Sequence, residues 1–464
     1  MSVLEIREIA ATVEGTLISG DASARIGRFK IDSREVEDGD LFFCLRGPNQ
    51  DGHDYLQDAI DHGATAAIVS RAPNEEFKKR LRIIRVADTR EALQKLAHHV
   101  RVKEGFKVVG ITGSMGKTTT KEMIFHALSP SFRTMRSRGN LNNLYGLPLS
   151  LLEMDERCEV AVLEMGVSYP GELKKLTDIA DPEIGVLTSI KAVHLEHFHS
   201  IEEIARAKAE LFEGMRHGSV AIYNKDDERV RAIAMRFPGE RLSYGLMPGS
   251  DIHAVSIHGS IREGVTFDAQ CRGERFQTHL SLFGLHNVYN ALAALSVCAS
   301  LEADLGKASE ALSAFKPCDR RGVITRLKKE ITIIDDTYNS NPAAMEMVLE
   351  SIARERVDGR KVVVFGDMLE LGSDAPMLHA AIGEKIAEAG VELLVGVGEL
   401  SAFTLGAAAS RGLKACRHFP DSKQASDAVA GLVLEGDLIL VKGSRGMKME
   451  VVIEKLKQEL EEGI

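Results

Sequence analysis

The chain has 464 residues, 44% hydrophobic and 27% charged, a formal net charge of −10 and six cysteines. That length exceeds what one hydrophobic core usually supports, and no apolar run approaches a membrane span, so a soluble chain of two or three domains is expected. The acidic balance without a long Lys/Arg block argues against nucleic acid, and scattered cysteines lacking any C-x-x-C pair argue against a zinc site or a disulfide framework.

The N-terminal Met1-Ser2-Val3-Leu4-Glu5-Ile6-Arg7 lacks the basic segment and apolar stretch of a secretory signal, which predicts a cytoplasmic protein. Further on, Leu41 to Leu45 reads as a short strand, Tyr55 to His62 as a helix and Ala66 to Val69 as another strand, a small α/β module. A charged helical stretch from Thr89 to Gly105 follows, and Lys107 to Ile111 then starts a buried strand that runs into glycine-rich sequence.

In the middle of the chain, apolar strands (Val160 to Leu163, Ile184 to Leu187, Val220 to Tyr223) alternate with helices, as in a mostly parallel sheet covered on both faces. Its chemistry should lie at the strand C-termini. An alanine- and leucine-rich helix from Val288 to Ser300 closes this region, and Phe315-Lys316-Pro317 reads as a linker. In the last part, Ile331 to Ile334 predicts a strand, Asn341 and Pro342 an N-cap and first-turn proline, and Ala343 to Ile352 a helix. Lys361 to Phe365 and Leu438 to Val441 are further strands entering glycine turns. The expected architecture is α/β in three domains: 1–103, 104–316 and 317–464.

The sharpest local signal is Val108-Val109-Gly110-Ile111-Thr112-Gly113-Ser114-Met115-Gly116-Lys117-Thr118-Thr119, an apolar strand, a glycine turn and the start of a helix. Glycines let backbone N–H groups converge on phosphate oxygens, the helix N-terminus favours an anion, Lys117 suits β/γ oxygens and the Thr118 hydroxyl can ligate Mg²⁺. The usual spacing asks for glycine five positions before Gly116; Ile111 stands there, with Gly110 and Gly113 instead. Nucleotide binding is expected, and on this loop alone a nucleotide-hydrolysing switch remains an alternative.

Lys208 lies on a helix that opens with Ser200 and Glu203 in capping-box spacing. Its neighbours three and four residues away are Ile204, Ala205, Leu211 and Phe212, so it sits on the apolar face. A lysine there either snorkels to water or is held as a neutral amine by burial.

The variant loop Thr112 to Thr119 resembles that of the Mur ligase family. Asn140-Leu141-Asn142-Asn143 with Gly146-Leu147-Pro148-Leu149, and Leu163-Glu164-Met165-Gly166 with Pro170-Gly171-Glu172-Leu173, are similar to family segments, the latter to the D-alanyl-D-alanine-adding branch. Asp32-Ser33-Arg34, Gly39 to Phe43 and Asp51-Gly52-His53 resemble the family's UDP-sugar module. In the last domain Asp335 to Pro342, Gly366 to Gly372 and Lys442 to Arg445 again resemble that branch. One departure is visible: where the family reads proline, two residues, glycine, arginine, this chain reads Pro317-Cys318-Asp319-Arg320-Arg321, with Arg320 in the glycine position.

The resemblance implies an ATP-dependent amide ligase in peptidoglycan precursor synthesis, with the last domain Rossmann-like. ATP would phosphorylate the carboxylate of UDP-N-acetylmuramoyl-tripeptide, and D-alanyl-D-alanine would attack the acyl phosphate. Carried over residue by residue, it implies ATP contacts at Gly113, Ser114, Met115, Gly116, Lys117, Thr118, Thr119, Asn287, Arg321, Asp336 and Tyr338. Substrate contacts fall on Ser33, Arg34, Asp51, Gly52, His53, Asn140, Asn142, Asn143, Asn339, Asn341 and Arg445. Two Mg²⁺ ions would be held by Thr118, Glu164, His194 and Lys208, the last as a carbamate made from CO₂; Lys117, Glu164, His194 and Lys208 would be catalytic. Nothing in the sequence demands a partner chain, so a monomer is expected, and charge and hydropathy predict neither a nucleic-acid nor a membrane partner. A sibling ligase adding a diamino acid is the nearest rival.

Overall fold

The computed structural model describes residues 3–154, 156–192, 198–317 and 320–462. Within the first hundred residues a five-stranded sheet runs, in spatial order, Thr16–Ser19, Arg82–Arg85, Ala66–Val69, Leu41–Phe43, Phe29–Lys30; the first pair is antiparallel and the others parallel. The strand expected to reach Leu45 stops at Phe43, because Leu45 N turns back to the Phe43 carbonyl (2.9 Å). The helix expected from Tyr55 is split: Asp51 accepts from His53 N and starts a 3₁₀ turn, Gly52–Tyr55, before the α-helix Leu56–Asp61.

The helix Thr89–Glu104 forms as expected. Asp88 accepts from the N–H groups of Arg90 and Glu91, and Gly105 ends it at φ 69°, a conformation glycine adopts without steric cost. Its apolar face, including Leu93, Leu96 and Val100, shares one core with Leu147, Leu163 and Leu176 of the following region. Buried Arg101 reaches the carbonyls of Ala180 and Asp181 at 3.0 Å each, so this helix ties the first sheet to the central one.

The central sheet has nine strands. Lys107–Thr112 lies between Val160–Glu164 and Ile184–Leu187, all parallel. From Lys107–Thr112 the chain moves to one side for Thr134–Arg136 and Val160–Glu164, then crosses to the other for Ile184–Leu187, Val220–Asn224 and Glu240–Gly245. This reversal opens a crevice at the C-terminal end of Lys107–Thr112, where ligands bind in open α/β sheets. Three strands absent from the expected pattern extend the sheet: Ile252–Ser260, Gly264–Cys271 and Glu274–Leu280, paired antiparallel. The closing helix starts at Leu285, three residues earlier than expected, and ends at Ser300.

The last sheet has six strands in the order Val323–Arg326, Thr332–Asp336, Leu438–Lys442, Lys361–Gly366, Leu393–Val397, Ala415–Phe419, with only the first pair antiparallel. Asn341 caps the helix Pro342–Arg354 by accepting from Ala344 N, with Pro342 in its first turn. The central sheet reaches this region through Ile261, which packs with Ile334, Met345 and Val348 while its N–H donates to Glu355 (2.8 Å). Among the described residues no helix is long and apolar enough to cross a membrane.

Candidate active site

The expected phosphate loop joins the strand Lys107–Thr112 to the helix Lys117–Leu128. Both of its glycines are required. At Gly113 (φ 150°) a Cβ would fall 1.9 Å from Thr188 Oγ1, and at Gly116 (φ 80°) 2.6 Å from Asn290 Oδ1. The loop is stapled to the end of the neighbouring strand: Ser114 N donates to Ser189 O (2.8 Å), Met115 N to Ser189 Oγ (3.2 Å) and Ser114 Oγ to Lys191 O (3.0 Å). Lys117 Nζ donates to the Gly113 carbonyl (2.8 Å). Desolvation pulls its amine below the ordinary lysine value, against the opposing charge of Glu164 and with that of Arg321.

Glu164, the last residue of its strand, is buried. One carboxylate oxygen accepts from Thr118 Oγ1 (2.7 Å) and the other from Asn142 Nδ2 (2.8 Å). Buried Lys208 lies on the helix Ile201–Gly214, among Ile204, Leu211 and Phe212 as its spacing predicts. The capping box differs in one detail: Ser200 Oγ accepts from Glu203 N (3.2 Å), but Glu203 reaches back to His199 N (2.9 Å). Burial, reinforced by the Lys117 charge, holds the Lys208 amine well below the ordinary lysine value. His194 lies outside the described residues, among which no cluster of three or more His, Cys, Asp or Glu is arranged for a metal.

Facing this wall is the last sheet. Asp336 and Lys442 occupy paired positions at adjacent strand ends; Lys442 Nζ donates to Asp336 Oδ2 (2.6 Å) and to the Asn339 carbonyl (2.9 Å). The Arg321 guanidinium lies 3.7 Å over the Tyr338 ring, and that of Arg445 lies 5.9 Å from the same ring. Asn339 Oδ1 accepts from Ser340 N (2.9 Å), and Asn341 Oδ1 is occupied by its capping bond. From the central side, Asn287 donates to the Phe283 carbonyl (2.8 Å) and accepts from Asn290 (3.2 Å). The adjoining His286 is pushed down to about 4 by burial, with Asp336 opposing and Lys442 reinforcing the shift.

The two walls bound one cleft of about 1010 Å³, lined among others by Lys117, Glu164, Lys208, Asn287, Arg321 and Arg445. Asn140 and Asn142 line it too, but Asn143 does not: its Oδ1 accepts from Tyr145 N (3.1 Å) and Gly146 N (2.9 Å) in the turn that precedes the helix Gly146–Leu152. The five residues expected at a UDP-sugar site lie apart from this cleft. Ser33 is buried at the start of a 3₁₀ turn, and the Arg34 guanidinium is paired with Asp32 (2.6 Å) in the open. His53 Nδ1 lies 2.5 Å from Asp51 while Nε2 accepts from Ser70 N (2.9 Å), so Nδ1 carries the proton. Burial draws the Asp51 carboxyl upward, but hydrogen bonds from His53 leave it below the ordinary range. At Gly52 a Cβ would stand 2.7 Å from Leu45 N, which explains the glycine.

Three family models match in chain order: the Mur ligase family catalytic domain over residues 25–101, the Mur ligase middle domain over 111–298 and the Mur ligase glutamate ligase domain over 320–445. A UDP-N-acetylmuramoyl-tripeptide–D-alanyl-D-alanine ligase of Bacillus subtilis (strain 168) is 34% identical over 97% of this chain and 98% of its own length. The chain belongs to the Mur ligase family. Among solved structures, crystal structure I of MurF from Acinetobacter baumannii superposes with a TM-score of 0.90 at 29% identity, covering 99% of each chain. The MurF ligase from Thermotoga maritima in complex with ADP gives a TM-score of 0.84 at 29% identity, covering 94% of this chain and 98% of its own.

The departure of this Mur ligase at its paired arginines has a structural reading. Arg320 stands in the family's glycine position and keeps φ at 59°, in the left-handed region glycine favours. Its guanidinium is spent on Glu450 (2.8 Å), away from the cleft, whereas Arg321 lines the cleft. Sequence reasoning singled out neither Lys442, His286 nor Asn290. Lys442 stood inside the motif Lys442 to Arg445, but its partner Asp336 comes from a distant position, as does Thr120 Oγ1, which donates to Asn290 Oδ1 (3.1 Å).

Proposed function

We propose that this chain joins D-alanyl-D-alanine to UDP-N-acetylmuramoyl-tripeptide, consuming ATP and giving UDP-N-acetylmuramoyl-pentapeptide, ADP and phosphate. It is an ATP-dependent amide ligase of peptidoglycan synthesis. The observation that carries the chemistry is the single cleft in which the phosphate loop and Glu164 face Arg321, Asp336 and Arg445. A nucleotide switch needs only the loop, and leaves the family matches over 25–101 and 320–445 unexplained.

The reaction divides into two balanced steps. First, a tripeptide carboxylate oxygen attacks the γ-phosphorus; the bond to ADP breaks and an acyl phosphate forms. Next, the dipeptide amine attacks the acyl carbon, giving a tetrahedral intermediate that expels phosphate and loses a proton as the amide forms. Phosphoryl transfer is stabilised mainly by position and charge. Lys117 and the loop N–H groups would hold the β/γ oxygens, and Arg321 would approach the same phosphates from the opposite wall. Asn287, Asp336 and Tyr338 would hold the base and ribose. Arg445 suits the dipeptide carboxylate, with Asn339 and Asn341 beside it. Closure about Pro317 would exclude water from the acyl phosphate.

The donors around Glu164 fit Mg²⁺: a buried carboxylate touching a threonine hydroxyl at the phosphate-loop helix offers hard oxygens, and Mg²⁺ completes its shell with phosphate and water. When bound, the ion neutralises charge on the transferred phosphoryl group. His194 and Lys208 would serve a second ion, Lys208 as a carbamate. There the neutral amine attacks CO₂, an N–C bond forms and one proton leaves. Support for that reading comes from Lys208 itself, which is buried among apolar neighbours and whose amine desolvation and the Lys117 charge hold well below the ordinary lysine value.

In this reading residues 1–103 take the UDP-sugar through Ser33, Arg34 and Asp51 to His53, residues 104–316 take ATP, and residues 317–464 take the dipeptide and part of ATP. The enzyme would work as a cytoplasmic monomer on small-molecule substrates. Mass spectrometry of a reaction containing UDP-N-acetylmuramoyl-tripeptide, ATP and D-alanyl-D-alanine tests the proposal. The expected product is heavier than the precursor by one dipeptide less water; an unchanged precursor beside hydrolysed ATP would overturn it.

A further inference from the structure

One fully buried lysine has no part in the chemistry above. Lys121 lies one turn beyond Lys117 on the phosphate-loop helix, with none of its surface exposed. Its Nζ donates to the carbonyls of Ser137 (2.8 Å) and Gly139 (3.2 Å) and stands 3.2 Å from Glu122, whose other oxygen is 2.6 Å from Arg136. Those two carbonyls belong to the turn leading into Asn140 and Asn142. The same segment is sewn to Glu164: Glu164 N donates to Ser137 Oγ (3.2 Å), Asn142 Nδ2 donates to Glu164 Oε1 (2.8 Å), and Gly166 N donates to the Asn142 carbonyl (2.8 Å). The fit is close, since a Cβ at Gly166 would lie 3.1 Å from the Asn142 amide.

We propose that Lys121 is a positioning residue that fixes segment 137–142 to the phosphate-loop helix and so sets Asn140, Asn142 and Glu164 in register with the phosphates. Backbone carbonyls that converge inside a protein need donors, and an ammonium supplies three in a compact head. A side chain of similar length without donors leaves the Ser137 carbonyl buried and unpaired and releases the more exposed Gly139 carbonyl to water. The segment then loses its anchor while the loop N–H groups and Lys117 keep theirs, because the bonds from Ser114 and Met115 to Ser189 and Lys191 do not involve Lys121. Lys121 thus acts on the muramoyl and Mg²⁺ side of the cleft rather than on nucleotide binding. This rests on the proposed roles of Asn142 and Glu164.

The test compares Lys121→Met, Lys121→Gln, Lys121→Ala and Asn142→Ala in the full-length enzyme. Fluorescent ADP binding is measured in EDTA, and KM for the muramoyl tripeptide and the Mg²⁺ concentration for half-maximal rate are measured in turnover. Lys121→Met should bind ADP within about twofold of wild type while its precursor KM and Mg²⁺ requirement each rise about tenfold or more. Lys121→Gln, which keeps donors, should fall between, and propylamine should restore part of the activity of Lys121→Ala. A variant damaged only in its fold would lose ADP affinity in parallel, and that outcome overturns the proposal, as does an unchanged precursor KM in a folded Lys121→Met enzyme. If Asn142→Ala leaves precursor KM unaltered, the role given to the segment itself fails, which separates the two failures.

Discussion

Lys208 owes its character to what surrounds it on the helix Ile201–Gly214. Its three- and four-residue neighbours predicted an apolar face, and that face is buried. An ammonium there is disfavoured by desolvation and by Lys117, the setting that the proposed carbamate requires. Lys208→Arg preserves charge and most of the length but cannot carbamylate, because guanidinium stays protonated. We expect kcat to fall by about two orders of magnitude or more, and wild-type activity to fall when CO₂ is stripped from the buffer. Full activity in the arginine variant would leave Lys208 a structural cation.

His286 makes a prediction of opposite sign to that of an ordinary salt-bridged histidine. Its folded-state value, about 4, lies below that of the unfolded chain, near 6.5, so the unfolded state takes up the proton first as pH falls. Its contribution to stability is complete above pH 6.5 and is lost between there and pH 4. At pH 5 the loss relative to pH 8 should be about 2 kcal/mol, read by urea unfolding at the two pH values. His286→Gln, which does not titrate, should flatten that part of the profile; an unaltered slope would assign the effect to other groups. None of this was legible beforehand, because Asp336 and Lys442 reach His286 only after the two larger sheets meet.

At the scale of elements, legibility followed hydrophobic pattern. Parallel strands such as Ile184–Leu187 are buried on both faces and read as continuous apolar runs, so their limits were accessible. The three antiparallel strands from Ile252 to Leu280 alternate instead: Gly264–Cys271 buries Val265, Phe267, Ala269 and Cys271 and leaves the residues between partly exposed. With polar residues at every second position they escaped a reading tuned to apolar runs. Helix starts were clearer where a side chain supplies the missing acceptor. Ser200→Ala removes the cap of the helix that carries Lys208 and should cost about 1 kcal/mol of stability; a change below about 0.3 kcal/mol would mean that water replaces the cap fully.

For the whole molecule, the informative feature is that residues far apart in sequence share one cleft. The family resemblance implied ATP contacts at 113–119 and 287, a metal ligand at 164 and a substrate contact at 445 one by one, but not that Lys442 would bridge Asp336 and the Asn339 carbonyl. The separate position of Ser33, Arg34 and Asp51 to His53 fits a long substrate whose nucleotide end is held away from its reacting carboxylate. Direct phosphorylation of this carboxylate in the cleft would pass one of its oxygens to phosphate, which isotope transfer follows. UDP-N-acetylmuramoyl-tripeptide carrying ¹⁸O in its terminal carboxylate is turned over with ATP and D-alanyl-D-alanine, and the released phosphate is examined by ³¹P NMR. One ¹⁸O should appear in each inorganic phosphate, with ADP as the nucleotide product; unlabelled phosphate, or AMP with pyrophosphate, would contradict the account.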